Sequence, residues 1–344
     1  MSQPERLPHA LLVTGPMGIG KRVFAQELAR RLLCERATGT AYACDQCASC
    51  TWFASGNHPD FRFIAPESEL QAEADASDSK NEGGDKASSQ IRIDQVRPLA
   101  DFISTSSHRH GWRVVVLQPA EGMNLHAANS ILKLLEEPTN NTLFIMVSDE
   151  PNKLLPTILS RCRKLALNKP SYESARAWLQ HQAGKSADAG LLDASLALCS
   201  GAPYLAAELA QGQAAGVYAE FVKHLAQGSA AQDPISVAEK WSAWCTGRKN
   251  ERATLERVVL VDWLQKWLSD VLSHQFGGAV RFFPTQTAAI GKLAGQARTE
   301  SLLALMDDLV RFRAVAHHPL NLRLFFDDLL LRYQRAVATS TPAR

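Results

Sequence analysis

The 344-residue sequence predicts an α/β domain built on a parallel sheet over residues 1–168, a small helical domain over 169–213 and a larger helical domain over 214–344. Three observations predict this. The apolar run "ALLVT" leads into the glycine loop "GPMGIGKR" and then into a helix, the opening of an α/β fold. Further short apolar runs alternate with helical stretches up to residue 167. After Pro170 strand-like runs disappear and helical periodicity takes over.

Taken in order, residues 10–14 form a short apolar run that stops at Gly15, as a buried parallel strand does. In "KRVFAQELARRLLCE" the apolar positions Val23, Phe24, Leu28, Leu32 and Leu33 recur at helical spacing. "YACDQCASC" interrupts, and "DFRFIAP" predicts a second strand. Residues 67–90 hold one leucine and no other large apolar side chain, too little burial to offset ordering entropy, which predicts a disordered insertion. A helix begins after Arg92 in "IDQVRPLADFIST", with Pro98 placed to kink or split it. "RVVVLQPA" (113–120) predicts a third strand. "LHAANSILKLLEEP" predicts a helix with Leu125, Ala128, Leu132 and Leu135 on one face and Pro138 as its stop. "TLFIMVS" (142–148) is a fourth strand, "NKLLPTILSRC" a short helical segment ending at Cys162, and "RKLAL" a fifth strand.

Residues 171–212 read as a small helical unit ending in "CSGAPYLAAELA". Beyond it "VYAEFVKHLAQ", "LERVVLVDWLQKWLSDVLSHQF", "ESLLALMDDLVRFRAVAHH" and "NLRLFFDDLLLRYQRAV" predict helices. Val258, Val259, Val261, Leu264, Trp267, Leu268, Val271 and Leu272 make a stripe broad enough to be part core and part subunit interface.

Composition narrows the classes. A hydrophobic content of 46% suffices for two or three packed domains. A formal net charge of +2 does not mark a nucleic-acid binder by whole-molecule charge. The start "MSQPERLPHALLV" lacks a signal-peptide layout and no apolar run reaches membrane-spanning length, which predicts a soluble, cytoplasmic protein without a membrane partner.

Gly15-x4-Gly20-Lys21 matches the first seven positions of a phosphate-binding P-loop, with Gly18 inside it. The glycines let backbone N–H groups converge on an anion at a helix N-terminus. Ser or Thr should follow the lysine to hold magnesium; here Arg22 follows, and a guanidinium cannot ligate a cation. The acidic metal ligand expected at the end of "RVVVLQPA" is replaced by Gln118 and Pro119, with Glu121 lying beyond. A loop stripped of its metal ligands is expected to hydrolyse ATP very slowly or not at all, so neither ATP nor Mg²⁺ is expected to be used productively.

Four of the seven cysteines crowd into residues 34–50. Cys44-x2-Cys47-x2-Cys50 with Cys34 upstream suits a closed tetrahedral structural zinc site. An iron–sulfur cluster and unrelated free thiols are the alternatives; the first lacks the fourth Cys followed by Pro that a ferredoxin-type run carries.

Together these residues resemble the delta-prime family of bacterial DNA polymerase III clamp-loader subunits, a branch of the AAA+ proteins. The likeness spans residues 9–167 and rests on the degraded P-loop, the four-cysteine insertion, "ANSILKLLEEP" and "TILSRC". Active clamp-loader ATPase subunits share the last two motifs and the cysteines. They keep Ser/Thr after the P-loop lysine and an acidic pair where this chain has Gln118-Pro119.

The resemblance implies an AAA+ domain, a helical lid and a helical collar. It implies that Arg161 is an arginine finger reaching a neighbour's ATP, a large electrostatic contribution in such reactions. Gly15, Gly18, Gly20, Lys21 and Arg22 become a vestigial phosphate loop, and Cys34, Cys44, Cys47 and Cys50 ligands of structural zinc. Ser148 falls where active subunits sense the γ-phosphate, and Tyr204 near the position of a second sensing arginine. The stretch before the first strand is shorter than the family's adenine-contacting helix and loop, which implies either a late start or no adenine pocket. The implied partners are delta and gamma/tau ATPase subunits in a hetero-pentamer that loads the β sliding clamp on primed DNA. The chain would then be an accessory subunit of a DNA-directed DNA polymerase (nucleotidyltransferase) holoenzyme. Two other readings compete: an autonomous P-loop ATPase ligating its metal through Glu121 and water, and a zinc-stabilised DNA-binding module.

Overall fold

In the computed structural model five short strands pair into one parallel sheet of order β2-β3-β4-β1-β5. The strands are β1 (Ala10–Thr14), β2 (Phe61–Ile64), β3 (Arg113–Leu117), β4 (Thr142–Ser148) and β5 (Arg163–Ala166). The structure describes residues 7–36, 42–71, 88–105, 111–184, 187–226, 233–246, 255–318 and 320–338. The chain divides into two compact units, Met1–Lys169 and Pro170–Arg344.

In the first unit β1, β3 and β4 are buried at every position, because helices cover both faces. Leu12, Val115, Leu117, Phe144 and Met146 point to one core, Leu11, Val13, Val114, Val116 and Ile145 to the other, following the two-residue alternation of strands. β5 is an edge strand and carries exposed Arg163 and Lys164, charges that discourage strand addition.

Helix α1 (Lys21–Leu33) buries Ala25, Ala29 and Leu33. The expected stripe through Val23 and Phe24 is displaced, since both are more than one-third exposed. Small alanines let the helix backbone approach the sheet closely, so the larger residues turn outward. After α2 (Ala48–Ala54), Pro98 does split its helix, into α3 (Ile93–Val96) and α4 (Pro98–Ser104). Helix α5 (Leu125–Glu136) buries Ala127, Ala128, Ile131 and Leu135. Leu125, expected on its inner face, is 61% exposed because it opens the first turn, next to the Asn124 cap. Helix α6 (Pro156–Arg161) runs into β5.

The disorder expected over 67–90 does not hold at its ends. Residues 67–71 form a helical turn, the Ser68 amide donates to the Ser88 carbonyl (3.1 Å), and the Ser88 amide donates to Glu67 Oε2 (3.3 Å). Residues 72–87 lie outside the described residues.

The second unit is helical: α7 (Tyr172–Ala183), α8 (Ala189–Leu198), α9 (Pro203–Leu209), α10 (Gly212–Ala226), α11 (Pro234–Thr246), α12 (Arg257–Gln275), α13 (Thr287–Gln296), α14 (Thr299–Val315) and α15 (Leu322–Val337). Ala175, Leu179, Leu192, Leu196 and Ala206 make a small core. A larger one gathers Phe221, Trp241, Trp263, Trp267, Phe283 and Phe326, with Ala194, Leu198 and Leu209 joining it from α8 and α9. The expected division at 213/214 falls in the first turn of α10. The broad stripe of α12 lies in this core or packs against it. The Asp270 carboxylate, 1% exposed, accepts the amides of Arg281, Phe282 and Phe283 at 2.8–2.9 Å and so fixes the loop after α12. Among the described residues no helix is long and apolar enough to cross a membrane.

Candidate functional site

The P-loop connects the carboxyl end of β1 to α1. Gly15 has φ +150°, and a Cβ there would collide with the Leu167 carbonyl oxygen and lie 2.9 Å from Ile19 Cδ1. β5 causes this close approach, because the Leu167 amide donates to the Thr14 carbonyl at 2.8 Å. Gly18 and Gly20 adopt φ +73° and +97°, conformations that side chains resist. The loop is thus a tight glycine turn between β1 and α1.

Its lysine is engaged within the chain. The Lys21 side chain is 3% exposed and its ammonium pairs with the Asp149 carboxylate. It also donates to the carbonyls of Gly15 (2.7 Å) and Pro16 (2.6 Å). Asp149 follows β4, whose Ser148 is paired with Thr14 of β1, so the β4 end stands beside the loop. Glu121 reaches the same place from the end of β3: its Oε1 accepts the amides of Asp149 (2.9 Å) and Glu150 (3.0 Å). Glu121, considered above as a metal ligand, therefore serves as a backbone anchor through that oxygen. Ser148 Oγ, Gln118 Oε1 and Glu121 Oε2 are buried and find no hydrogen-bond partner among the described residues. The Arg22 guanidinium lies 4.7 Å from the centre of the Phe63 ring on β2, a cation–π contact.

Arg161 stands elsewhere. It ends α6, two residues before Arg163, which is in register with Leu11 of β1. It is therefore level with the amino end of the parallel sheet, whereas the P-loop leaves the carboxyl end. From Leu11, level with Arg163, to Gly15 at the loop is four residues, roughly 13 Å of rise. Arg161 is about one-third exposed and pairs with Glu136 of the "LLEEP" motif at 2.6 Å. It also donates to the Thr157 carbonyl at 3.0 Å. Tyr204 belongs to the second unit, where its ring packs against Trp178 with centroids 4.4 Å apart.

The four clustered cysteines meet as expected. Their Sγ atoms all lie within 4.8 Å of one another, and Cys44 and Cys50 are 4.0 Å apart. Four thiolates at about 2.3 Å from a tetrahedral zinc would be about 3.8 Å apart, so the donor set fits with little adjustment. Backbone amides of Cys44, Cys47 and Cys50 point at the sulfurs of Cys34, Cys44 and Cys47 at 3.3–3.5 Å. Amides of Gln46 and Cys47 hold the Cys44 thiol down at about 6, while burial pushes Cys50 up to about 12. A divalent cation would supply the charge that a buried Cys50 thiolate needs.

A buried hydroxyl relay fixes this insertion to the sheet. Ser49 Oγ donates to the Leu33 carbonyl (2.6 Å), and His58 Nδ1 accepts the Asp60 amide (3.0 Å). This leaves His58 Nε2 to donate to Ser49 Oγ (2.6 Å). The outlying cysteines 162, 199 and 245 take no part in the cluster. Asp149, Glu121 and Glu136 are the participants that sequence reasoning did not assign to these contacts. Only the placement of Glu121 and Asp149 just after strand ends hinted at them.

Comparisons agree with this architecture. A family described as "DNA polymerase III, delta subunit" matches residues 1–171, and "DNA polymerase III, delta subunit, C terminal" matches residues 218–335. The delta' subunit of DNA polymerase III from Pseudomonas aeruginosa is 34% identical over 336 residues, covering 94% of this chain and 91% of that one. Its counterpart from Escherichia coli is 29% identical over 334 residues, covering 96% and 90%. The tau subunit from Escherichia coli is 30% identical over 176 residues, 51% of this chain and 24% of its own. With identity running through nearly the whole of both chains, and both units matched, the chain belongs to the delta' family of DNA polymerase III subunits, with an AAA+ fold and a C-terminal helical domain.

Proposed function

We propose that this chain is the non-hydrolysing, stator-type subunit of a clamp loader and donates Arg161 to the ATP site of a neighbouring gamma/tau subunit. The observation that carries this is the position of Arg161. It stands at the opposite end of the sheet from the chain's own phosphate loop, so any phosphate it serves belongs to another subunit. Glu136 holds the guanidinium at the surface until a stronger anion competes for it. The chain's own loop lacks magnesium ligands at positions 22 and 118, and its lysine is already paired.

In this reading the chain joins gamma/tau and delta in a hetero-pentamer in the cytoplasm. It helps load the β sliding clamp on primed DNA, as an accessory subunit of the polymerase holoenzyme. Zinc on Cys34, Cys44, Cys47 and Cys50 is structural: four thiols leave no open coordination position for chemistry. The engagement of Glu121 with two backbone amides speaks against the autonomous-ATPase reading.

The test is DNA-stimulated ATP turnover by the reconstituted loader. Arg161→Ala is expected to lower turnover by a factor on the order of 10 or more at the affected site, with assembly intact. The isolated chain is expected to be silent. Unchanged turnover with Arg161→Ala, or turnover by the isolated chain, sinks the proposal.

A further inference from the structure

We infer that Asp149 keeps this chain's phosphate loop closed to diphosphates, its carboxylate taking the place on Lys21 that a phosphate would need. The inference rests on the reading that the chain does not use ATP, and it concerns a different question: why the loop would not even hold a phosphate. Missing magnesium ligands remove the metal, but they leave a glycine loop, a lysine and a helix N-terminus, which together bind polyphosphate anions. Here the glycine loop keeps its geometry, with Gly15, Gly18 and Gly20 all at positive φ. Something else must occupy the lysine.

An ammonium carries three N–H donors. Lys21 has three acceptors: the Gly15 carbonyl, the Pro16 carbonyl and the Asp149 carboxylate. The side chain is 3% exposed, so no donor is left facing solvent for an incoming anion. The carbonyls are neutral and can be exchanged for a phosphate oxygen. The carboxylate carries charge, and a diphosphate seated on the loop would lie against it.

Asp149 is also held in place. Glu121 Oε1 grips its amide and that of Glu150 from the end of β3. These bonds are made by backbone, so they survive a change of the Asp149 side chain. Ser148 just before it is tied by the sheet to Thr14, the residue preceding the loop. The carboxylate is thus pinned beside Lys21 from both flanks.

The experiment titrates the isolated full-length chain with inorganic pyrophosphate, without magnesium, by calorimetry. Wild type is compared with Asp149→Asn and Asp149→Ala, and with Asp149→Asn combined with Lys21→Met. Neutralising Asp149 is expected to tighten pyrophosphate binding roughly tenfold or more, and the Lys21→Met combination to abolish the gain. Asparagine retains an acceptor for Lys21, so it keeps the loop folded if alanine does not; thermal melts followed by circular dichroism establish this. A salt bridge with only a structural role would lower the melting temperature and leave pyrophosphate binding unmoved, which overturns the inference. So does a wild-type chain that already binds as tightly as the variants, or a gain that persists without Lys21. None of these results touches Arg161, whose test is turnover by the assembled loader.

Discussion

Gly15 shows how much one residue can carry. Its φ of +150° and the Leu167 carbonyl pressed against it leave no room for a Cβ. Gly56 also has a positive φ, +74°, but nothing lies within 4 Å of its missing side chain. Alanine at Gly56 therefore carries only backbone strain, about 1 kcal/mol. Alanine at Gly15 adds a collision between backbone segments, for a cost on the order of 2–4 kcal/mol. Urea unfolding of Gly15→Ala and Gly56→Ala measures the difference, and equal losses would mean that the β5 contact does not constrain the loop. At this scale the sequence pattern locates the glycine loop and brings the four cysteines together, because glycine conformation and cysteine spacing are local properties. Asp149, Glu121 and Glu136 were not legible. Glu121 binds amides 28 and 29 residues away, and the Arg161–Glu136 pair joins the ends of two helices, contacts that no local pattern encodes.

Elements were legible where periodicity was strong and faded where small residues did the packing. β1 and β4 lie where the apolar runs placed them, because a doubly covered strand must be apolar throughout. The inner faces of α1 and α5 agree with the spacing at Leu28, Leu32, Leu33, Ala128, Leu132 and Leu135, and differ at Val23, Phe24 and Leu125 in the first turns, where Ala25 and Ala127 are buried instead. Helices α11 and α13 were missed: α13 contains Gly291 and Gly295, which weaken the helical signal, and packing supplies what propensity lacks. The cysteine insertion differs, since four clustered thiols able to hold an ion stand where a core would. Between Cys34 and Cys50 the described elements are one short helix and its flanking turns, anchored by Ser49 and His58. Removing one ligand is expected to release the metal and cost several kcal/mol of local stability, on the order of what structural zinc contributes. Cys47→Ser should drop the zinc content from about one per chain to near zero by atomic absorption and open residues 34–58 to proteolysis. Cys162→Ser, Cys199→Ser and Cys245→Ser should leave the metal content unchanged. Full zinc retention in Cys47→Ser would remove the four-thiolate assignment.

For the whole molecule, the proposed assembly follows from the sheet's two ends. A phosphate loop at the carboxyl end and an outward arginine at the amino end make the α/β unit two-sided. In the proposed assembly these unlike surfaces would meet head to tail, an arrangement that gives rings or spirals rather than twofold dimers. The helical unit must supply an interface of its own in the proposed assembly, and its exposed apolar residues mark a candidate. On α14 Leu303 is 52% exposed and Val310 60% exposed, seven residues apart and so on one face of the helix. Neither contributes to the core that Leu302, Leu305 and Leu309 build on the other side. Burying two such side chains against a neighbour is worth roughly 2–3 kcal/mol, enough to shift assembly by a factor of about 30–150. Leu303→Glu combined with Val310→Glu should leave unfolding of the isolated chain within about 0.5 kcal/mol per substitution of wild type. Co-elution with gamma/tau and delta on size exclusion should weaken by at least about tenfold. An unimpaired complex would show that this face of α14 stays in solvent and that the helical unit meets its neighbours elsewhere.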